Sequence, residues 1–239
     1  MQLMLFGHRF IINRLWLLLT LAAFAILIKL SYWQLQRATE KTEQLQQLAQ
    51  QLQQGPVAGE DLLSQVVTAV DGLVIQDDAY WLPPFIWLLD NQILEGRVGY
   101  DVIIPVQFTD STTAVLVNLG WVAAPPSRQQ LPQLDIPEVL ALDGLVRTKM
   151  GGVLLGQNIE GNTYPMRMQQ VDFSLLQQQL PLSLYPALVY QQQPSAFIPH
   201  YQAVVLPPEK HRGYALQWFG LALAVLGVAF AASKQSIKE

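Results

Sequence analysis

Cysteine is absent from this sequence of 239 residues. Disulfide staples, thiol exchange, thiolate zinc sites and cysteine-based copper relay are thereby excluded. Charge is scarce as well: 13% of residues are charged against 51% hydrophobic, and the net charge is −4. With no Lys/Arg run, no surface for nucleic acid is expected. Histidine occurs only three times, and no nucleophile elbow, HExxH pair or glycine-rich phosphate loop is present. Gly151-Gly152 reads as a turn. The chain is expected not to be an enzyme.

Two apolar stretches dominate what is there. The first is Leu15–Ile28, extended past Lys29 to Leu30, Tyr32 and Trp33; the second runs from Tyr214 to Ala232 without a charge. About 19 residues rising 1.5 Å each reach roughly 28 Å, enough to cross hydrocarbon. His8, Arg9 and Arg14 before the first stretch match the start of a signal peptide, but no small-x-small cleavage site follows it. It is read as a retained anchor in a lipid bilayer, with Lys29 near the outer end and able to snorkel. Arg9 and Arg14 on one side, and Lys234 and Lys238 on the other, place both termini in the cytoplasm. The segment between the spans is then periplasmic in a bacterium, and the protein resides in the inner membrane. Lys210 and Arg212, at the outer end of the second span, run against that rule and need another explanation.

The expected layout is a cytoplasmic N-terminus at 1–13, a transmembrane helix at 14–34 and a helical extension at 35–55. A β-rich periplasmic domain at 56–212, a transmembrane helix at 213–232 and a cytoplasmic tail at 233–239 follow. In the extension, Leu35, Ala38, Thr42, Leu45, Ala49 and Leu52 recur at helical spacing before Gly55-Pro56. The seam suits packing on its own domain or a coiled-coil partner. Short β-branched or aromatic runs at Val66–Ile75, Ile86–Asp90, Tyr100–Phe108, Ala114–Trp121 and Val139–Val146 read as strands, separated by turns such as Glu95-Gly96. Asp71-Gly72-Leu73-Val74 recurs as Asp143-Gly144-Leu145-Val146, which suits two equivalent strands with a glycine bend. Asp172–Leu180 reads as a short helix, and Ala187–Gln191 and Tyr201–Leu206 as closing strands. The fold class is a membrane protein: two transmembrane helices flanking a mainly antiparallel β domain, barrel or sandwich, with minor α.

Candidate chemistry gathers at the second span. On a helix, His211, Tyr214, Ala215 and Trp218 share a face. A neutral imidazole is an axial haem ligand, Ala leaves room for a flat ring, and Arg212 or Lys210 suits propionates. Lys, Arg, Tyr and Trp at a helix mouth are equally ordinary interfacial anchors. Gln217, about a turn inside, wants a polar partner, and Gln34 at the matching depth of the first helix is the candidate, with Trp33 and Trp218 nearby. Met166 and Met168 share a strand face and, with His200, suit copper(I) as well as core filling. His200 itself reads as an exposed loop residue.

Several motifs together resemble one family. Trp33-Gln34-Leu35-x-Arg37-x-x-x-Lys41, then Asp90-Asn91, then Gly96-Arg97-Val98-Gly99-Tyr100-Asp101-Val102, then Val115-Leu116-Val117-Asn118-Leu119-Gly120-Trp121-Val122 occur in order. His211-x-x-Tyr214-Ala215-x-Gln217-Trp218-Phe219 closes the series. From about residue 10 to 232 the chain resembles the surfeit locus protein 1 family. The resemblance implies an assembly factor for haem-copper terminal oxidases, above all cytochrome c oxidase, acting on subunit I. It implies haem A as cargo with His211 as ligand to the haem iron, and haem A synthase as a further candidate partner. A haem-free scaffold holding an assembly intermediate is the alternative. Ser31 stands where the family commonly has Gly, and Leu119 where it commonly has Arg.

Overall fold

The computed structural model describes residues 2–5, 8–11, 14–152, 154, 156–202 and 206–235. The chain divides into two units, 1–46 with 203–239, and 47–202.

In the first unit, strands β1 (Gln2–Leu5) and β2 (His8–Ile11) pair antiparallel before helix α1 begins. Helix α1 (Arg14–Gln53) contains no Gly or Pro and runs unbroken for 40 residues. It stops where Gly55 takes φ +82°, a left-handed conformation that ends a helix at little steric cost. Both α1 and the 26-residue helix near the C-terminus are long and apolar enough to cross a membrane, and only 6% and 11% of their apolar windows are buried. A core helix of a water-soluble protein would be covered; these are not. This suggests a membrane protein.

The second unit takes in the last residues of α1, then α2 (Gly59–Ser64), and is built on β3 (Val74–Trp81), β4 (Trp87–Leu94), β5 (Arg97–Gln107), β6 (Thr113–Ala123) and β7 (Val139–Arg147). Short strands β8 (Ile159–Glu160) and β9 (Met166–Met168), helix α3 (Phe173–Gln177) and β10 (Ser183–Gln191) complete it. Strand order β3-β7-β10-β6-β5 closes on itself through a β3–β5 pairing, which makes a five-stranded barrel; β4, β9 and β8 extend outward from β5. Most pairings are antiparallel, with β10–β6 and β4–β9 parallel.

Strand β5 serves two neighbours in succession. It pairs with β4 up to Ile103 and with β3 from Val106. Pro105 sits at the changeover, where a missing N–H is least costly. Strands β5, β6 and β10 are covered on both faces, which explains their continuous apolar runs. Val102, Ile104, Val115, Val117 and Val189 fill the barrel. Their neighbours Ile103, Leu116 and Leu188 face a second core with Trp87, Met168, Leu176 and Leu180. Asp172 caps α3 by accepting from the backbone N–H groups of Ser174 and Leu175.

Three strand expectations change. Val66–Ile75 is no strand over its first part: residues 67–69 form a 3-10 turn, and β3 starts at Val74 and runs on through Gln76, Asp77 and Asp78. Burial alternates along it, with Ile75, Asp77, Ala79 and Trp81 turned inward and Gln76, Asp78 and Tyr80 outward. Asp71-Gly72 and Asp143-Gly144 are not equivalent strand bends, since Gly72 turns with φ +93° while Gly144 lies inside β7. Instead the two tetrads lie side by side, with Val74 opposite Leu145 and the Gly72 N–H donating to the Val146 carbonyl. Of Tyr201–Leu206, residues 203–205 lie outside the described residues, and Tyr201, Gln202 and Leu206 form no strand.

Back in the first unit, α4 (Pro208–Ser233) starts on a proline, which loses nothing at a first helical position. Strand β11 (Lys234–Gln235) follows and pairs with β2, so the two chain ends meet in one small sheet. The start of α1 and the end of α4 therefore lie at the same end of this unit, as an up-and-down pair requires.

Candidate functional site

Helices α1 and α4 meet along small residues. Ser31 and Ala38 of α1, and Ala215 and Ala222 of α4, are buried, each pair seven residues apart. The Ser31 hydroxyl donates to the Ala215 carbonyl at 2.9 Å. Small side chains let backbones approach closely, which is how helices associate where lipid removes the hydrophobic drive.

One turn from that contact stands His211. Its ring is 8% exposed, and Nδ1 lies 2.7 Å from Oε1 of Gln34. An amide oxygen only accepts, so Nδ1 is the donor in this bond. Nε2 has no hydrogen-bond partner among the described residues. The expected Gln34–Gln217 pair is not formed. Gln217 lies on the outward side of α4, because residues 211, 215, 218 and 222 turn toward α1 and 217 does not.

The remaining rim residues divide the same way. Ala215 is 3% exposed and Trp218 half-buried, whereas Tyr214 and Arg212 face outward. Tyr214 thus does not share the inward face with His211. The Ala215 surface is covered by α1, so its small side chain serves helix approach in this arrangement. On α1, Trp33 and Arg37 are exposed, the guanidinium lying 5.6 Å from the indole centre and bonding Glu40 at 2.7 Å. Of that motif Gln34 and Lys41 are partly buried, whereas Trp33, Leu35 and Arg37 are exposed.

The β domain holds a polar network that sequence reasoning missed. Asp101, 4% exposed, receives the Asn118 side-chain N–H at 2.8 Å on one oxygen and lies 2.6 Å from His200 Nε2 with the other. His200 is therefore not an exposed loop residue. The Asp101 hydrogen bond pushes its pKa above the ordinary value, partly opposed by burial. Tyr201 stacks on Tyr190 with ring centres 3.8 Å apart, and burial raises both phenols. Arg147 lies over Tyr201 and 3.1 Å from Asp71. The signal available beforehand was a lone Asp and a lone Asn interrupting two otherwise apolar strands.

This network joins the motif segments of the domain. Asn118 Oδ1 accepts from the Gly120 N–H, and Trp121 donates through Nε1 to the Gln92 carbonyl. A Cβ on Gly99 would fall 2.4 Å from the Trp121 indole, so only glycine admits that ring. Leu119 joins the barrel core. Met168 is buried in the second core and Met166 packs against it, the place of a gap-filler. Among the described residues no group of three His, Asp or Glu is placed to hold a metal ion.

No curated protein matches the chain. A profile described as the SURF1 family matches residues 21–223, which takes in most of both long helices and the whole β domain. Members of that family are assembly factors linked to cytochrome c oxidase and are not known as enzymes. With that match over most of its length, the chain belongs to the SURF1 family.

Proposed function

We propose that this protein assists assembly of a haem-copper terminal oxidase, cytochrome c oxidase above all, by holding haem A for delivery to subunit I. The observation that carries the reading is the His211 ring, whose Nδ1 donates to the Gln34 amide oxygen while Nε2 has no hydrogen-bond partner among the described residues. The donor set fits: a neutral imidazole of that tautomer is the form that ligates haem iron. When bound, the haem supplies a Lewis-acidic iron for that nitrogen. His211 would be the ligand, Trp218 the aromatic surface on the same face, and exposed Arg212 and Lys210 the cations for propionates. This gives the two bases at the outer rim a use. The β domain lies outside the cytoplasm.

A second reading is supported by the closed state of the helix pair. Ala215 and His211 are covered by α1. On that reading the protein is a haem-free scaffold that stabilises subunit I while other factors load it.

Purification from cells expressing subunit I separates the two. Delivery predicts that subunit I co-purifies and that membranes lacking this protein contain oxidase poor in haem A. A scaffold predicts co-purification that is unchanged when haem A synthesis is removed. Failure of subunit I to co-purify under either condition contradicts both.

A further inference from the structure

We propose that Gln34 is a positioning residue: it fixes His211 in the Nδ1–H tautomer and so presents Nε2 as the binding nitrogen. The role in binding rests on the haem reading above; the tautomer assignment rests on geometry alone.

An uncharged imidazole exchanges its proton between two nitrogens at little cost, and its ring turns freely about the Cβ–Cγ bond. A histidine on an isolated helix would thus offer either nitrogen in several directions. At this site three features remove that freedom. Gln34 Oε1 stands 2.7 Å from Nδ1, 177 residues away in sequence. The ring is nearly covered, so water does not compete for Nδ1. The Ser31–Ala215 bond, one turn along each helix, sets the depth at which Gln34 and His211 face each other. A carbonyl or carboxylate oxygen on the far nitrogen of a ligating histidine orients the ring and raises its basicity, and loss of such a partner typically costs about 10- to 100-fold in affinity. Gln34 is placed to do this without adding a charge to the apolar span.

The test uses the full chain in lipid nanodiscs with nitrogen-15-labelled histidine. The three histidines are distinguished by a His211→Asn control. The inference expects a protonated Nδ1 and an unprotonated Nε2 at His211. Gln34→Leu, similar in volume, should populate the Nε2–H form, and Gln34→Glu should restore the original one. A protonated Nε2 in the parent protein, or an unchanged tautomer in Gln34→Leu, overturns the inference. A packing role alone predicts that unchanged result.

Titration with ferric haem B then reads the consequence. Gln34→Leu should bind about tenfold or more weakly. Gln34→Glu should bind at least as well as the parent and shift the haem reduction potential to more negative values. Equal affinity and potential across the three proteins would overturn the positioning role. If the parent protein binds no haem yet shows the expected tautomer, the haem reading fails while the geometry of Gln34 stands. Gln34→Glu serves also if Gln34→Leu does not fold.

Discussion

The Ser31 hydroxyl and the Ala215 carbonyl, 184 residues apart, are joined by a 2.9 Å hydrogen bond. The bond is possible only because neither residue carries a side chain large enough to hold the helices apart. Ser31 keeps the close approach and adds a donor.

Enlarging that contact should loosen the pair. Ala215→Leu is expected to destabilise the helix pair by about 1–3 kcal/mol, the usual cost of overpacking. Ser31→Ala should cost only about 0.6 kcal/mol, the average for an interhelical hydrogen bond in a membrane. Unfolding of the two variants in detergent, compared at equal lipid content, measures both.

His200 makes the β domain sensitive to pH. Its pKa is raised from 6.5 in the folded state, first by the Asp101 hydrogen bond. The contribution of the charged pair is therefore complete below that ordinary value and is lost as pH rises through the higher folded one. The stability lost in Asp101→Asn should be greatest at about pH 6 and smaller at about pH 9. His200→Gln should show a flatter pH profile than the parent. Melting curves across that range test this, and an Asp101→Asn deficit that grows with pH would contradict it.

Gly120 holds φ +121°, and a Cβ there would stand 2.7 Å from the Ile198 carbonyl. Both the backbone angle and the space exclude a side chain. Gly120→Ala should cost on the order of 1–3 kcal/mol or more and free the Ile198 segment from Trp121. Chemical denaturation gives the cost, and hydrogen exchange at Ile198 and Trp121 reports the detachment.

The absence of cysteine makes topology directly measurable. Gly151 is exposed with open space around it, so Gly151→Cys should be tolerated. An impermeant thiol reagent should label it in intact spheroplasts and should not label Ser233→Cys until the membrane is opened. The reverse pattern would invert the orientation.

Much of this architecture was legible from the chain because its signals are local. The two helices announce themselves by uninterrupted apolar runs, and β5 and β6 by apolar stretches of strand length. The hairpin at Glu95-Gly96 follows from its glycine, and both residues take positive φ. The rest depends on distant partners. Barrel closure rests on two residue pairs, Tyr80 with Gln107 and Trp81 with Val106. Strand β3 escaped notice because three of its residues, Gln76, Asp77 and Asp78, are polar, while the β-branched run before it curls into a 3-10 turn. Depth in the membrane suggested Gln217 for Gln34, but rotation about the helix axis decides the partner, and His211 is on the inner face. His200 looked exposed because its acceptor, Asp101, is 99 residues away.

The optical spectrum of the protein purified from cells making haem A tests the central claim most directly. The account predicts a Soret band in the parent protein that is lost in His211→Ala, with the variant otherwise folded and its Ser31–Ala215 helix pair intact. A Soret band of full strength in His211→Ala would contradict it.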